Sequence, residues 1–328
     1  MNQTQDSYRG ALVGAAIGDA LGATVDAMSR SEVKEKYGIH RELVGGGRLN
    51  SKAGEVGDDT RLAYVVAKSL IENQGAEIRI IAGHMVEYIN SNGSGKGIGP
   101  TTRSVLSSLK PKAKDIFSAA TKVWQQRGGD VAGSGCIVRV APVGMLRRVQ
   151  PKELVQETMD VCRLTHHDPR CVDACIAFNF GISYLTSGKD PSKLLFKTWR
   201  FLADSRATKE YREQVGEEDA ADPLQDMVKF LKAVNDVQYD DLKANGMAIE
   251  TTQAGYWLTL NAIDFEEGLV RAVNLGGDAA TLGAVAGALL GARFGEQAIP
   301  ERWLESLKMR VELEAVADKL CKMGEPKK

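Results

Sequence analysis

The chain has no excess of basic charge, no long apolar run, no cysteine framework and almost no strand-like alternation, and each absence excludes something. Lys and Arg total 42 against 43 Asp and Glu in 328 residues, a formal net charge of −1. With no basic field, nucleic acid is not an expected partner, and with no polybasic run neither is an anionic membrane surface. The longest apolar stretch, between Thr281 and Ala292, is too short and too rich in glycine to span a bilayer. The opening MNQTQDSYRG lacks the charged-then-apolar pattern of a leader. Cys136, Cys162, Cys171, Cys175 and Cys321 form an odd set without framework spacing, which suits a reducing cytoplasm. Cys171 and Cys175 can share a helix face near His166 and His167, but C-x8-C-x3-C is not a usual zinc spacing, so ordinary buried thiols are expected. The near absence of period-2 alternation predicts an all-α fold. The length suits a single domain over residues 1–328, with a charged insertion at about 201–246.

What is present is organised around residues 54–69, GEVGDDTRLAYVVAKS. Asp58 and Asp59 follow glycines and precede an apolar run at helical spacing, so they fall at a helix start. Helix capping accounts for one acid there, since a carboxylate accepts backbone N–H bonds and opposes the dipole. Two adjacent acids with Thr60 exceed that need, and a divalent cation taking oxygen ligands would relieve their repulsion. Both explanations stay open on this stretch alone. Upstream, SYRGALVGAAIGDALG places glycines at 10, 14, 18 and 22, along one ridge of a predicted helix. Each costs about 1 kcal/mol against Ala in a helix interior, so another helix or a ligand must approach that ridge at backbone distance. Asp19 sits within this apolar helix and must be paired, near a cation, or at the helix end. Downstream, GGDAATLGAVAGALLGARFG repeats the pattern, with Asp278 at the entrance and glycines at 283, 287 and 291.

Between these stretches, Asp26 follows the first glycine helix across a bend, and Ser29 or Ser31 can cap a short helix ending at Gly38. Residues 91–103, SNGSGKGIGPTTR, form a loop that fails the Walker pattern, because Gly97 follows Lys96, and fails the dinucleotide pattern, because it follows a helix. A mobile loop at the mouth of a site is the remaining reading. Helices are predicted over 101–109 and 113–126, with Trp124 as a core anchor. Residues 128–144, including Ser134, form a buried turn that threads past a ligand. Helices follow over 151–164 and from Asp168-Pro169 through Ile182, with His166 and His167 just ahead of the second, where packing or capping is their commoner use. Residues 201–246 are charged with few apolar anchors and are expected to be a solvated helical insertion, with a substrate-selecting lid as the alternative. Two amphipathic helices lead to the second glycine helix, and one final helix is predicted over 300–323.

With both acidic, glycine-flanked helix starts in view, the sequence resembles the ADP-ribosylglycohydrolase family, closest to the branch that removes ADP-ribose from arginine on dinitrogenase reductase. The segments that carry it are GALVGAAIGDALGATVDAMSRSEVKEKYG, GGGRLNSKAGEVGDDTR, GIGPTTR, VRVAPVG, LTHHD and VNLGGDAATLGAVAGALLGA. They occur in the family's order from Tyr8 to about Trp303 and spare the 201–246 insertion. The resemblance implies an all-α fold with Mg or Mn, one or two ions, in a central cleft. It implies ADP-ribose or an ADP-ribosylated protein as partner, and attack of water on the anomeric carbon with departure of guanidinium. Carried over by position, the metal ligands are Asp58, Asp59, Asp278 and Thr281, and His166, Gly97, Gly99 and Ser134 would contact substrate. Asp59 and, in place of a family Glu, Asp26 would be the catalytic acids. Departures are equally specific. Gly57 stands where the family has Thr, Ala280 where it has a second Asp, and Gly97-Ile98-Gly99-Pro100 carries no acid. The binuclear site is therefore expected to be incomplete, which leaves a hydrolase with weakened metal chemistry and a non-catalytic ADP-ribose-binding pseudoenzyme as the two readings.

Overall fold

The computed structural model describes residues 1–91, 97–216 and 226–325. The centre of the 91–103 loop, Lys96 included, part of the charged insertion and the last tail residues lie outside them. The fold is all-α. Among the described residues there is no strand, only isolated bridges pairing Gly46 with Ser51 and Gly133 with Met247.

In chain order the helices are α1 (Gln3–Gly22), α2 (Arg30–Tyr37), α3 (Asp58–Glu72), α4 (Ile78–Ser91), α5 (Pro100–Leu106) and α6 (Ser118–Gln126). There follow α7 (Ala141–Leu146), α8 (Pro151–Arg163), α9 (Pro169–Thr186), α10 (Leu194–Ala203), α11 (Arg206–Val215) and α12 (Asp226–Lys232). The chain closes with α13 (Ala248–Asn261), α14 (Phe265–Val273), α15 (Ala279–Phe294), α16 (Glu301–Ser306) and α17 (Arg310–Met323). Ser29 caps α2 in a full capping box with Glu32, as the sequence predicts.

The centre of the molecule is the antiparallel pair α1–α15. A Cβ at Gly10 would stand 2.3 Å from the Gly291 carbonyl oxygen, at Gly14 2.4 Å from that of Gly287, and at Gly18 1.9 Å from that of Gly283. The predicted close neighbour of the glycine ridge is therefore the other glycine helix, backbone against backbone. Because the pair is antiparallel, the C-terminal end of α1 lies against the N-terminal end of α15, with Gly22 facing Ala279. Around this pair pack α3, α9, α13, α14 and α17, burying Ile17, Leu21, Leu62, Phe178, Phe265 and Trp303 among others.

Five expectations are corrected. The final helix is two, because the chain between Ser306 and Lys308 lies on the Gly54 loop, where the Lys308 N–H donates to the Gly54 carbonyl at 3.0 Å. Helix formation over 101–109 ends at Leu106, and the helix over 113–126 starts only at Ser118. Trp124 is half-buried rather than a core anchor: its indole N–H reaches the Asp168 carboxylate at 3.1 Å and its ring meets the edge of His167. The described part of the 201–246 insertion is not simply solvated. Tyr211, Met227, Val228, Leu231 and Val234 are buried, and Arg212 of α11 forms a buried ion pair with Asp173 of α9.

Candidate functional site

The geometry of α1 and α15 decides where polar groups meet. Asp19 lies one turn before the end of α1, Asp278 immediately precedes α15, and Asp58 and Asp59 open α3, whose start abuts both. All four carboxylates line one cleft of about 560 Å³. Two helix N-termini thus face a cleft already crowded with negative charge.

Neither Asp58 nor Asp59 caps α3. Gly57 is the N-cap residue and supplies no side chain, and the capping acceptor comes from α1 instead. Asp19 Oδ2 accepts from the Gly57 N–H at 2.9 Å, the Thr60 N–H at 3.1 Å and the Thr60 hydroxyl at 2.6 Å. This removes the capping explanation for the acid pair and accounts for the carboxylate inside an apolar helix. It also gives Gly57 a local cause, since a Cβ there would stand 2.5 Å from Asp19 Oδ1.

Burial is the main electrostatic influence on all four acids. It pushes Asp19 up to about 7, against the Thr60 hydroxyl that favours the anion. Asp59 is held well above the usual carboxylate range by burial and then by the charges of Asp58, Asp19 and Asp278. Asp58 is raised by burial, partly offset by the Arg139 guanidinium, and the Gly99 backbone N–H also favours its anion. Asp278 is raised by burial although Ser134 and Thr281 donate to it, at 2.6 Å and 3.1 Å.

The other sequence-predicted residues line the same cleft. Asp26 does so with its Oδ2 bonded to Arg48 at 3.1 Å. His166 is almost fully buried, its Nδ1 2.9 Å from the Thr165 hydroxyl, and burial lowers its basicity, so the imidazole is neutral near pH 7. His167 points away and packs between Trp124 and Tyr211. Gly97 takes a φ of +92° beside Leu49, and Gly99 precedes α5. Ser134 fixes the opposite wall, its N–H donating to the Gly246 carbonyl at 2.8 Å while its hydroxyl holds Asp278.

Sequence reasoning did not place Asp19, Arg48, Arg139 or the 244–246 rim in the site. Asp19 carried a signal, a charge amid apolar neighbours, but its partners lie on another helix. The rim joins the end of the charged insertion to the cleft, for the Asp278 N–H donates to the Ala244 carbonyl at 2.8 Å. Ala27 at the wall adopts φ +65°, in the region that L side chains rarely enter, and its N–H donates to the Gly277 carbonyl at 2.7 Å. A second hollow of about 550 Å³ near Arg30, Arg41 and Arg271 gathers none of the predicted residues. Arg30 and Arg271 there are already paired with Asp240 and Glu267.

Hard carboxylate and hydroxyl oxygens of this kind suit Mg or Mn. Their spacing is wide: among the described residues no three of these acids bring ligand oxygens within 4.8 Å of one another. The acids thus fit a divalent cation in chemistry and charge, with the remaining coordination open to water or substrate.

The structure is an all-α protein with a carboxylate cleft at paired helix starts, and the family model for ADP-ribosylglycohydrolase matches residues 1–328. The chain belongs to the ADP-ribosylglycohydrolase family. It is 29% identical over 94% of its length, and 92% of the relative's, to an ADP-ribosyl-[dinitrogen reductase] glycohydrolase of Rhodospirillum rubrum. It is 27% identical to the ADP-ribosylarginine hydrolase Tri1 of Serratia proteamaculans, over 98% of this chain and 81% of that one. A solved structure of an ADP-ribosylglycohydrolase-related protein complex superposes with a TM-score of 0.77 at 28% identity, covering 99% of this chain and all of the other.

Proposed function

We propose that the cleft binds the ADP-ribosyl group of an ADP-ribosylated protein in the cytoplasm and hydrolyses its N-glycosidic bond to arginine, with metal chemistry weaker than that of a complete binuclear site. The observation that carries this reading is the convergence of Asp19, Asp58, Asp59 and Asp278 on one cleft, where Asp59 feels three other carboxylates and Arg139 as its opposing charge. Such a concentration of buried acid is costly unless a cation shares the site. Asp58, Asp59, Asp278 and Thr281 would hold Mg or Mn, which supplies polarisation of a water molecule and of ribose hydroxyls.

The chain's own groups have distinct roles. Asp59, or Asp26 through the oxygen that Arg48 leaves free, takes the proton of the attacking water. The new bond joins that water's oxygen to the anomeric carbon, and the electrons of the broken C–N bond stay with the leaving guanidine. His166, neutral and anchored on Thr165, contacts the ADP-ribosyl group, and Gly97, Gly99 and Ser134 admit its backbone-close approach. One observation favours a second reading, a pseudoenzyme that binds ADP-ribose without cleaving it: Ala280 lines the cleft where a further acid would complete a second cation site.

Release of ADP-ribose from ADP-ribosyl-arginine in the presence of Mn tests the proposal. Metal-dependent release below the ordinary enzyme range of about 1 per second is expected. Binding of ADP-ribose with no release at all establishes the binding protein instead, and absence of both binding and release removes both readings.

A further inference from the structure

Four of the five cysteines meet behind the wall of the cleft. Cys136 closes the short turn Ser134–Cys136, Cys162 lies in the last turn of α8, and Cys171 and Cys175 lie one turn apart on α9. All four are fully buried and none is in a disulfide. The sulfurs of Cys136, Cys162 and Cys175 lie within 4.8 Å of one another. The Cys171 thiol joins them through a shared acceptor: it donates to the Gly133 carbonyl at 3.5 Å, and the Cys136 thiol donates to the same oxygen at 3.6 Å. Around a tetrahedral zinc with Zn–S bonds of about 2.3 Å, neighbouring sulfurs stand roughly 3.8 Å apart. Cys136, Cys162 and Cys175 stand near that spacing, and Cys171, whose thiol shares the Gly133 carbonyl with Cys136, is the candidate for the fourth ligand.

A second observation points the same way. Arg139 is completely buried, yet its hydrogen-bond acceptors are all neutral: the Thr165 hydroxyl, the Thr102 hydroxyl and the Gly135 carbonyl. Its Nε has no partner, and among the described residues it forms no ion pair. A buried guanidinium without a close anion is expensive. Asp58 and Asp59 oppose its charge from the cleft without pairing with it, and zinc with three or four thiolates, carrying one or two net negative charges, would add a second anionic neighbour.

We propose that Cys136, Cys162, Cys171 and Cys175 hold a structural zinc ion. The chain spacing hides this site, because Cys136 enters from 26 residues ahead of Cys162. On binding, the thiols release their protons to solvent and four sulfur–zinc bonds form. The ion ties the ends of α8 and α9 to Gly133 and so fixes the turn whose Ser134 holds Asp278.

The test is metal analysis of the intact protein, purified from zinc-supplemented culture and dialysed against a chelator under native conditions. About one zinc per chain is expected, released by a mercurial thiol reagent, together with tetrahedral thiolate bands after cobalt substitution. Cys136→Ala and Cys175→Ala should lose that zinc, while Cys321→Ala, at a buried cysteine outside the cluster, and Asp278→Asn, in the cleft, should keep it. Zinc-free wild-type protein with all its thiols titratable after unfolding overturns the proposal whether or not the cysteine variants fold. So does zinc that Asp278→Asn removes, since it then belongs to the carboxylates.

Discussion

Replacing Gly18 by Ala tests the central contact of the fold. A Cβ at Gly18 would lie 1.9 Å from the Gly283 oxygen and 2.3 Å from its carbonyl carbon, both backbone atoms that no rotamer change can move. Restoring an ordinary contact of 3.4 Å requires the helices to part by roughly 1.5 Å. A gap of that size forfeits a large part of the dispersion attraction along the interface, while Ala returns only about 1 kcal/mol of helix propensity. The net expectation is a loss of about 2–3 kcal/mol. Gly83 is the control. It lies inside α4 with no atom within 4 Å of its would-be Cβ, so Gly83→Ala should stabilise by up to about 1 kcal/mol. Urea unfolding followed by far-ultraviolet circular dichroism separates the two, with opposite shifts of the midpoint at unchanged slope. A Gly18→Ala protein whose midpoint rises alongside that of Gly83→Ala would refute the backbone contact between α1 and α15.

Asp278→Asn can accept from only one of the Ser134 and Thr281 hydroxyls and removes a charge from the acid set, and Mn affinity by calorimetry should fall about tenfold or more. Glu296 is buried beside Glu314, and burial first, then that neighbouring charge, raises its carboxyl to about 7. The folded protein therefore holds a proton that the unfolded chain releases near the ordinary glutamate value of 4.5, and this group's contribution to stability falls as pH rises from there to about 7. Thermal melts of Glu296→Gln across that range should show a shallower decline than wild type, and an unchanged slope would contradict the assignment. Arg212→Ala strands the buried Asp173 carboxylate and should cost about 3–5 kcal/mol in equilibrium unfolding, with partial recovery when Asp173→Asn is added.

Much of this architecture was legible because the informative signals were local and periodic. Glycines every four residues at 10–22 and 283–291 announced a close helix neighbour, and the structure makes each ridge the neighbour of the other. The glycine-flanked acids Asp58, Asp59 and Asp278 announced helix starts, and all three face one cleft. What escaped was non-local. The capping of α3 by Asp19 joins groups about forty positions apart. The break between α16 and α17 is imposed by the Gly54 loop, which no pattern within 300–323 reveals. The insertion looked solvated because its apolar residues are sparse, yet Tyr211, Met227 and Leu231 are buried against a core that only the folded chain provides.

The interlocked glycines of α1 and α15 also act as a vernier. Their facing notches recur every four residues, a step of about 6 Å along a helix rising 1.5 Å per residue. With no side chains between them to flex, the two rods can seat only in discrete positions, and a move to the next notch would carry Asp278 a full step away from Asp19. Backbone contact of this kind opposes graded shear between α1 and α15 and so holds Asp19 and Asp278 at a fixed separation on the floor of the cleft. Any widening of the cleft then falls to the facing wall, where Gly97, Gly246 and the short turn of Ser134 lie.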